Sequence, residues 1–190
     1  QPFEGRELEN TEYPAQKIKT LIRTIPDYPK AGVLFRDIST LICHPEGLQL
    51  VADSMTERYS EEKISKVAGI EARGFIFGST LARELHVGFV PIRKKGKLPA
   101  ETFSQEFDLE YGSDTLEIHV DAISDSDNVL LVDDLLATGG TAEAAIKLIE
   151  QCGGHVHECC FVANLPDLGG RKRLQESGHS VFSICEFAGE

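Results

Sequence analysis

The chain has no run of 18 apolar residues, so it contains no segment of the kind that crosses a membrane as a helix. Its five cysteines are Cys43, Cys152, Cys159, Cys160 and Cys185. None forms a Cys-x-x-Cys pair, which leaves a zinc or dithiol redox motif without support. An odd count in a chain of this length fits reduced thiols and a cytoplasmic setting. Basic residues are in deficit. Nineteen Lys and Arg stand against 31 Asp and Glu, for a net charge of −12, which argues against general affinity for nucleic acid or an anionic membrane. No nucleophile elbow and no Ser-His-Asp order is present, so hydrolysis through an acyl-enzyme is unsupported. The six histidines are scattered. His155 and His157 flank a single residue, but no third ligand clusters with them. The opening QPFEGRELEN is acidic and polar, unlike a signal peptide, and residues 1–12 are expected to form a flexible segment.

What is present points to one globular domain over residues 13–190. The chain has 190 residues, 41% hydrophobic and 26% charged, enough to bury a full core. Ile18, Leu21, Ile22 and Ile25 predict one face of a first helix, stopped by Pro26. Residues 33–38 read as a short extended segment. Pro45 opens a second helix that buries Leu48, Val51, Met55 and Tyr59. Short apolar runs at 66–70, 88–93, 129–132, 159–163 and 181–185 predict strands, and helical periods lie between most of them. Strands alternating with helices imply a parallel α/β sheet, whose ligands sit beyond the carboxyl ends of the strands. Residues 98–115 are polar and are expected to form a long loop, a length that signals function or disorder. Leu116, Ile118 and Val120 alternate with polar residues, as in a half-exposed strand.

The most informative stretch is NVLLVDDLLATGGTAEAAIKLIEQCGG, residues 128–154. A buried strand at 129–132 leads to Asp133 and Asp134, where it is expected to leave the core. Ala137, Thr138, Gly139, Gly140 and Thr141 follow, and a helix begins. Glycines let a backbone approach an anion closely. The first N–H groups of a helix lack internal partners, and the helix dipole adds about half a positive charge there. A phosphate monoester fits such a turn, with the Thr138 and Thr141 hydroxyls as further donors. The two carboxylates repel phosphate. They suit the hydroxyls of a neighbouring ribose, or a Mg²⁺ ion carried by the substrate. The Walker lysine and the three-glycine dinucleotide spacing are both missing, so neither a P-loop nor a dinucleotide fold is indicated.

Two further turns, Glu71–Gly74 and Arg93–Lys97, belong at the same sheet edge. Arg73, beside a helix start, offers a fork of donors that matches phosphate oxygens. Arg93, Lys94, Lys95 and Lys97 place four cations in five positions, either as a solvated edge guard or as a clamp on diphosphate. In the acidic loop at 104–112, Glu110 is a candidate general base and Tyr111 a candidate for excluding water on closure.

The segments GVLFRDIS (32–39), GIEARGFIFG (69–78), VPIRKKGKLP (90–99), DLEYGSDTLEIHVDAI (108–123) and VLLVDDLLATGGT (129–141) together resemble the adenine phosphoribosyltransferase family. The last marks the wider group of type I phosphoribosyltransferases that use 5-phosphoribosyl 1-diphosphate (PRPP). The others narrow the resemblance to the adenine branch.

The resemblance implies a type I α/β fold, with a mostly parallel central sheet, flanking helices, a small N-terminal hood near 26–40 and a mobile catalytic loop near 98–115. The implied reaction converts adenine and PRPP to AMP and diphosphate in purine salvage, with Mg²⁺ as cofactor, in a cytoplasmic homodimer. By the same resemblance, residues 137–141 cradle the 5′-phosphate, and Asp133 and Asp134 hold the ribose. Arg73, Arg93 and Lys97 hold the diphosphate. Mg²⁺ arrives on PRPP near the acid pair, with no direct protein ligand. Leu34 reads the base edge through its main chain, Phe35 and Leu165 stack on the base, and Arg36 lies on the same segment. Glu110 manages the ring protons of the purine, and Tyr111 assists loop closure. A cis peptide is expected at Glu71–Ala72. The alternatives are a PRPP-sensing regulator without turnover, or a phosphoribosyltransferase for guanine, hypoxanthine or orotate.

Overall fold

The computed structural model describes residues 12–109 and 112–189. Helix α1, Glu12–Leu21, buries Ile18 completely. It stops one turn earlier than its apolar spacing predicts. Arg23–Pro26 is instead strand β1, antiparallel to β2, Leu34–Asp37. Thr40 explains the break. Its hydroxyl donates to the Leu21 carbonyl at 2.6 Å and accepts the Arg23 N–H at 3.1 Å, closing the helix and launching the strand. The β-branched Thr24 and Ile25 favour that extended course. A short helix that the sequence pattern did not reveal, α2 (Ser39–Cys43), precedes α3 (Pro45–Tyr59). Pro45 opens α3 as expected, and the His44 ring accepts the Glu46 N–H at 3.2 Å.

The rest of the chain builds one sheet. Its strands are β3 (Lys66–Ile70), β4 (Gly88–Lys94), β5 (Thr102–Asp108), β6 (Ser113–His119), β7 (Asn128–Leu136), β8 (His155–Asn164) and β9 (Val181–Glu186). Helices α4 (Arg73–Glu84), α5 (Gly140–Gln151) and α6 (Gly170–Glu176) connect them. The strand order is β5-β6-β4-β3-β7-β8-β9. β4, β3, β7, β8 and β9 run parallel, while β5 and β6 add an antiparallel edge. The mostly parallel α/β sheet expected from the sequence is thus present.

Strand β7 shows why the central run is unbroken. Val129 and Leu131 pack into a core shared with α5, while Leu130 and Val132 pack into one shared with α1, α3 and α4. Both faces are covered, so alternation with polar residues disappears. Cys159 and Cys160 divide between the two cores in the same way. Burial pushes both thiols up to about 12, so they stay protonated.

Residues 98–115 are not a long loop. They contain β5 and the start of β6, paired from Thr102 opposite His119 to Asp108 opposite Ser113. β5 is an edge strand whose Phe103 and Phe107 touch the core while Ser104 and Glu106 are exposed, and its polar composition concealed it. β6 ends at His119, before Val120. Within it Glu117 is buried, because its carboxylate accepts the Gly96 N–H at 3.0 Å and the Ser104 hydroxyl at 3.2 Å. No helix among the described residues is long and apolar enough to cross a membrane.

Candidate active site

A cleft of about 1120 Å³ opens at the carboxyl ends of β3, β4, β7 and β8. Its lining brings together Leu34, Phe35, Arg36, Arg73, Asp133, Asp134, Leu165 and the whole 137–141 turn. These residues span about 130 positions in sequence, and the parallel sheet gathers them at one edge.

The turn is built as the sequence predicts. Gly139 caps α5 with φ of 85°, a left-handed conformation that glycine adopts without strain. The turn is also tied to the next crossover. Gly170 donates its N–H to the Ala137 carbonyl at 3.0 Å, and Leu165 donates to Leu136 at 2.9 Å. Behind it, Ala142, Ala145, Ile146 and Ile149 bury one face of α5, while Cys152 lies just past the helix and is half-buried.

Strand β7 runs further than its apolar core suggests and includes both acids. Asp134 is 2% exposed, and its carboxylate takes the Arg73 Nε–H at 2.5 Å. Asp133 is half-buried, and its Oδ1 accepts the Asp134 N–H at 2.9 Å. Burial, and then the neighbouring Asp134 carboxylate, raise Asp133 well above the ordinary carboxylate range. The pair therefore divides its duties. Asp134 is held by a cation, and among the described residues Asp133 makes no ion pair.

The turn after β3 has a cis peptide at Glu71–Ala72, as expected. Glu71 accepts the Lys94 N–H and lies 3.7 Å from the Arg93 guanidinium. Arg93 also donates to the Lys97 carbonyl at 3.3 Å. Among the described residues, the cation that this basic turn gives to the cleft lining is Lys94, not Arg93 or Lys97. Adjacent strand residues face opposite sides, so one position decides which cation enters. Lys94 is paired with Asp114 at 3.0 Å.

At the far end Phe35 and Leu165 both line the cleft, and Tyr28 meets the Phe35 ring edge-on at 5.1 Å. Leu34 stands opposite Pro26, which has no N–H to donate across the ribbon. Arg36 lines the cleft, but its guanidinium is turned to other partners. It donates to the Thr24 hydroxyl at 2.6 Å and the Ala188 carbonyl at 3.2 Å, and lies 4.7 Å from the Phe187 ring centroid. Gly189 beyond it also lines the cleft, held by Asp167 at 2.6 Å. Glu110 and Tyr111 lie outside the described residues. Beside them, Leu109 bonds Gly112 at 2.9 Å and lines the cleft with Phe107 and Asp108.

The sequence pattern gave no sign of several other lining residues, Lys30 and Arg173 among them. Arg173 comes from α6, in a stretch without a motif. Helix periodicity there could have marked only which residues face outward.

An acid pair at the end of a parallel strand, followed by a glycine turn that opens a helix, defines the type I phosphoribosyltransferase class. The profile of the phosphoribosyl transferase domain matches residues 38–185. Within that class the chain belongs to the adenine phosphoribosyltransferase family. It is 61% identical over 173 residues to the adenine phosphoribosyltransferase of Nitrosospira multiformis, covering 91% of this chain and 99% of that one. It is 59% identical over 170 residues to that of Nitrosomonas europaea, covering 90% and 98%. The crystal structure of the Rhodothermus marinus enzyme matches with a TM-score of 0.85 and 48% identity, over 92% of this chain and 98% of that one. The Saccharomyces cerevisiae enzyme, solved with a dideoxyimino-altritol bisphosphate and adenine, matches with a TM-score of 0.84 and 42% identity, over 90% and 98%.

Proposed function

We infer that the chain catalyses transfer of the 5-phosphoribosyl group from PRPP to adenine, giving AMP and diphosphate. The observation that carries this is the single cleft that unites a phosphate turn, an acid pair, a guanidinium and an aromatic-aliphatic slot. The N–H groups of the 137–141 turn, with the Thr138 and Thr141 hydroxyls, hold the 5′-phosphate. Asp133 and Asp134 take the ribose hydroxyls and stabilise positive charge that develops at the anomeric carbon. The bond from that carbon to diphosphate breaks as adenine N9 bonds to it. Arg73 is placed to hold the departing diphosphate, with Lys94 nearer the cleft than Arg93 or Lys97. Adenine lies between Phe35 and Leu165. The Leu34 carbonyl accepts from its amine and the Leu34 N–H donates to N1. Hypoxanthine reverses that pattern and leaves both groups unpaired, which discriminates against it. Arg36 acts by fastening the chain end over this slot. Glu110 takes up the purine ring proton when the hairpin tip closes, and Tyr111 keeps water out.

Among the described residues no group of three or more His, Cys, Asp or Glu side chains is placed to hold a metal ion. The Asp133 and Asp134 pair nevertheless suits a hard cation carried nearby by the substrate, without a direct protein ligand. Mg²⁺ carried by PRPP fits there, and when bound it neutralises part of the diphosphate charge. We place the enzyme in the cytoplasm, as a homodimer. Five free cysteines support the first. Sedimentation at micromolar concentration tests the second.

Initial rates with PRPP, Mg²⁺ and each of the five nucleobases test the assignment. Adenine turnover is expected. Turnover of no base indicates a sensor, and preference for a 6-oxopurine removes the adenine assignment.

A further inference from the structure

The phosphate turn has a neighbour that its motif does not contain. Arg173 on α6 lines the cleft beside it. A Cβ built on Gly139 would stand 3.5 Å from Arg173 Cδ, and one on Gly140 would stand 3.6 Å from Nη1. The guanidinium therefore lies along the outer side of the two glycines. Its position is fixed from both ends. The Arg173 N–H donates to Gly169 at 3.0 Å, one residue before Gly170 ties α6 to Ala137. Its Nε and Nη2 both bond Glu143 Oε2, at 2.6 and 2.5 Å.

Glu143 is the acid in the first turn of α5. Left alone, its charge would oppose a phosphate dianion at the same helix end. Arg173 and Lys147, the latter at 3.3 Å, offset it. Both bonds to Glu143 use the Nε and Nη2 edge of the guanidinium, and Nη1 is the nitrogen nearest the glycines. Arg73, at the start of α4, bonds Asp134, and Lys94, at the end of β4, bonds Asp114. Among the described residues, Arg173 is a lining cation whose side chain stands beside Gly139 and Gly140 of the phosphate turn.

We propose that Arg173 is a direct ligand of the 5′-phosphate, aimed by Glu143, so that α6 supplies a side-chain cation to a site otherwise made of main-chain N–H groups and hydroxyls. The proposal rests on the transferase reading above and deepens it. A hydrogen bond between charged groups of this kind corresponds to about 10- to 100-fold in affinity.

The test compares AMP with adenosine by calorimetry on wild type, Arg173→Met, Arg173→Lys and Glu143→Gln. Methionine keeps an apolar stem against the glycines. Arg173→Met should weaken AMP by about 10- to 100-fold and leave adenosine unchanged. Arg173→Lys should recover part of the loss, and Glu143→Gln should weaken AMP by less than Arg173→Met. The phosphorus resonance of bound AMP should titrate further below the free monoester value of about 6 in wild type than in Arg173→Met. A structural role alone would not move that titration. Equal losses for AMP and adenosine, or no loss for AMP, would overturn the proposal. Failure of the wild-type protein to bind AMP would instead overturn the parent assignment.

Discussion

Replacement of Gly170 by alanine should damage the phosphate turn from behind. Gly170 is not itself part of the cleft lining, yet its Cα is where α6 meets the turn. A Cβ there would stand 2.3 Å from the Ala137 carbonyl oxygen, 2.9 Å from the Gly139 nitrogen and 3.0 Å from Leu136 Cδ1. An ordinary carbon–oxygen approach is about 3.3 Å, so the two segments must part by about 1 Å. Two of the three obstacles are main chain, and rotamer changes cannot relieve them. Overpacking of this kind costs about 1–3 kcal/mol. The same movement stretches the 3.0 Å bond from the Gly170 N–H to Ala137, worth about 1 kcal/mol more. A total of about 2–4 kcal/mol corresponds to a fall in Tm of about 5–15 °C for a chain of this size. The displaced atoms belong to the turn proposed to hold the 5′-phosphate. KM for PRPP should therefore rise at least about tenfold while affinity for adenine alone changes little. Gly88→Ala is the control, since nothing lies within 4 Å of a Cβ there. Thermal melts and separate KM values for the two substrates check the prediction. A Gly170→Ala enzyme with wild-type Tm and PRPP KM would refute the close-approach argument.

Three other outcomes follow from the site and its supports. Asp133→Asn should abolish turnover yet stabilise the ligand-free protein, and urea melts across pH will show it. Because the folded-state pKa is raised, stability from this group is present at acid pH and is lost as pH climbs through the raised value, so the variant's advantage should grow toward pH 8. Arg73→Met leaves Asp134, 2% exposed, without its cation. With Arg73 itself half exposed, the cost should be about 1–3 kcal/mol, and Asp134→Asn added to it should restore stability but not diphosphate binding. Asp127 behaves with the opposite sign. Burial alone would raise its pKa, but the Ser124 N–H, the Ser65 hydroxyl and Lys66 bring it down to about 2. Its contribution is present above about pH 4 and is lost as pH falls toward 2. Asp127→Asn should therefore cost about 1–2 kcal/mol at pH 7 and only a small fraction of that at pH 2 in denaturant titrations.

The sequence by itself determined whatever depends on neighbours in the chain. The buried run of β7, the acids, the Gly139-Gly140 turn and the start of α5 are contiguous, so their pattern carried both the local structure and its chemistry. The Glu71–Ala72 turn was legible through a family segment of the same local kind, and the family resemblance also named Phe35 and Leu165, which both line the cleft. Only the tertiary structure decided which distant groups meet. Arg73 reaches Asp134 across 61 positions because β3 and β7 are hydrogen-bonded neighbours, an adjacency that sheet order sets. Lys94 rather than Arg93 faces the cleft because pleating sends successive side chains to opposite faces, and register fixes which is which. The β5–β6 hairpin stayed hidden because an edge strand buries only alternate residues and can be polar elsewhere. Arg173 stayed hidden because a guanidinium on a surface helix has no signature until the fold sets it beside Gly139 and Gly140.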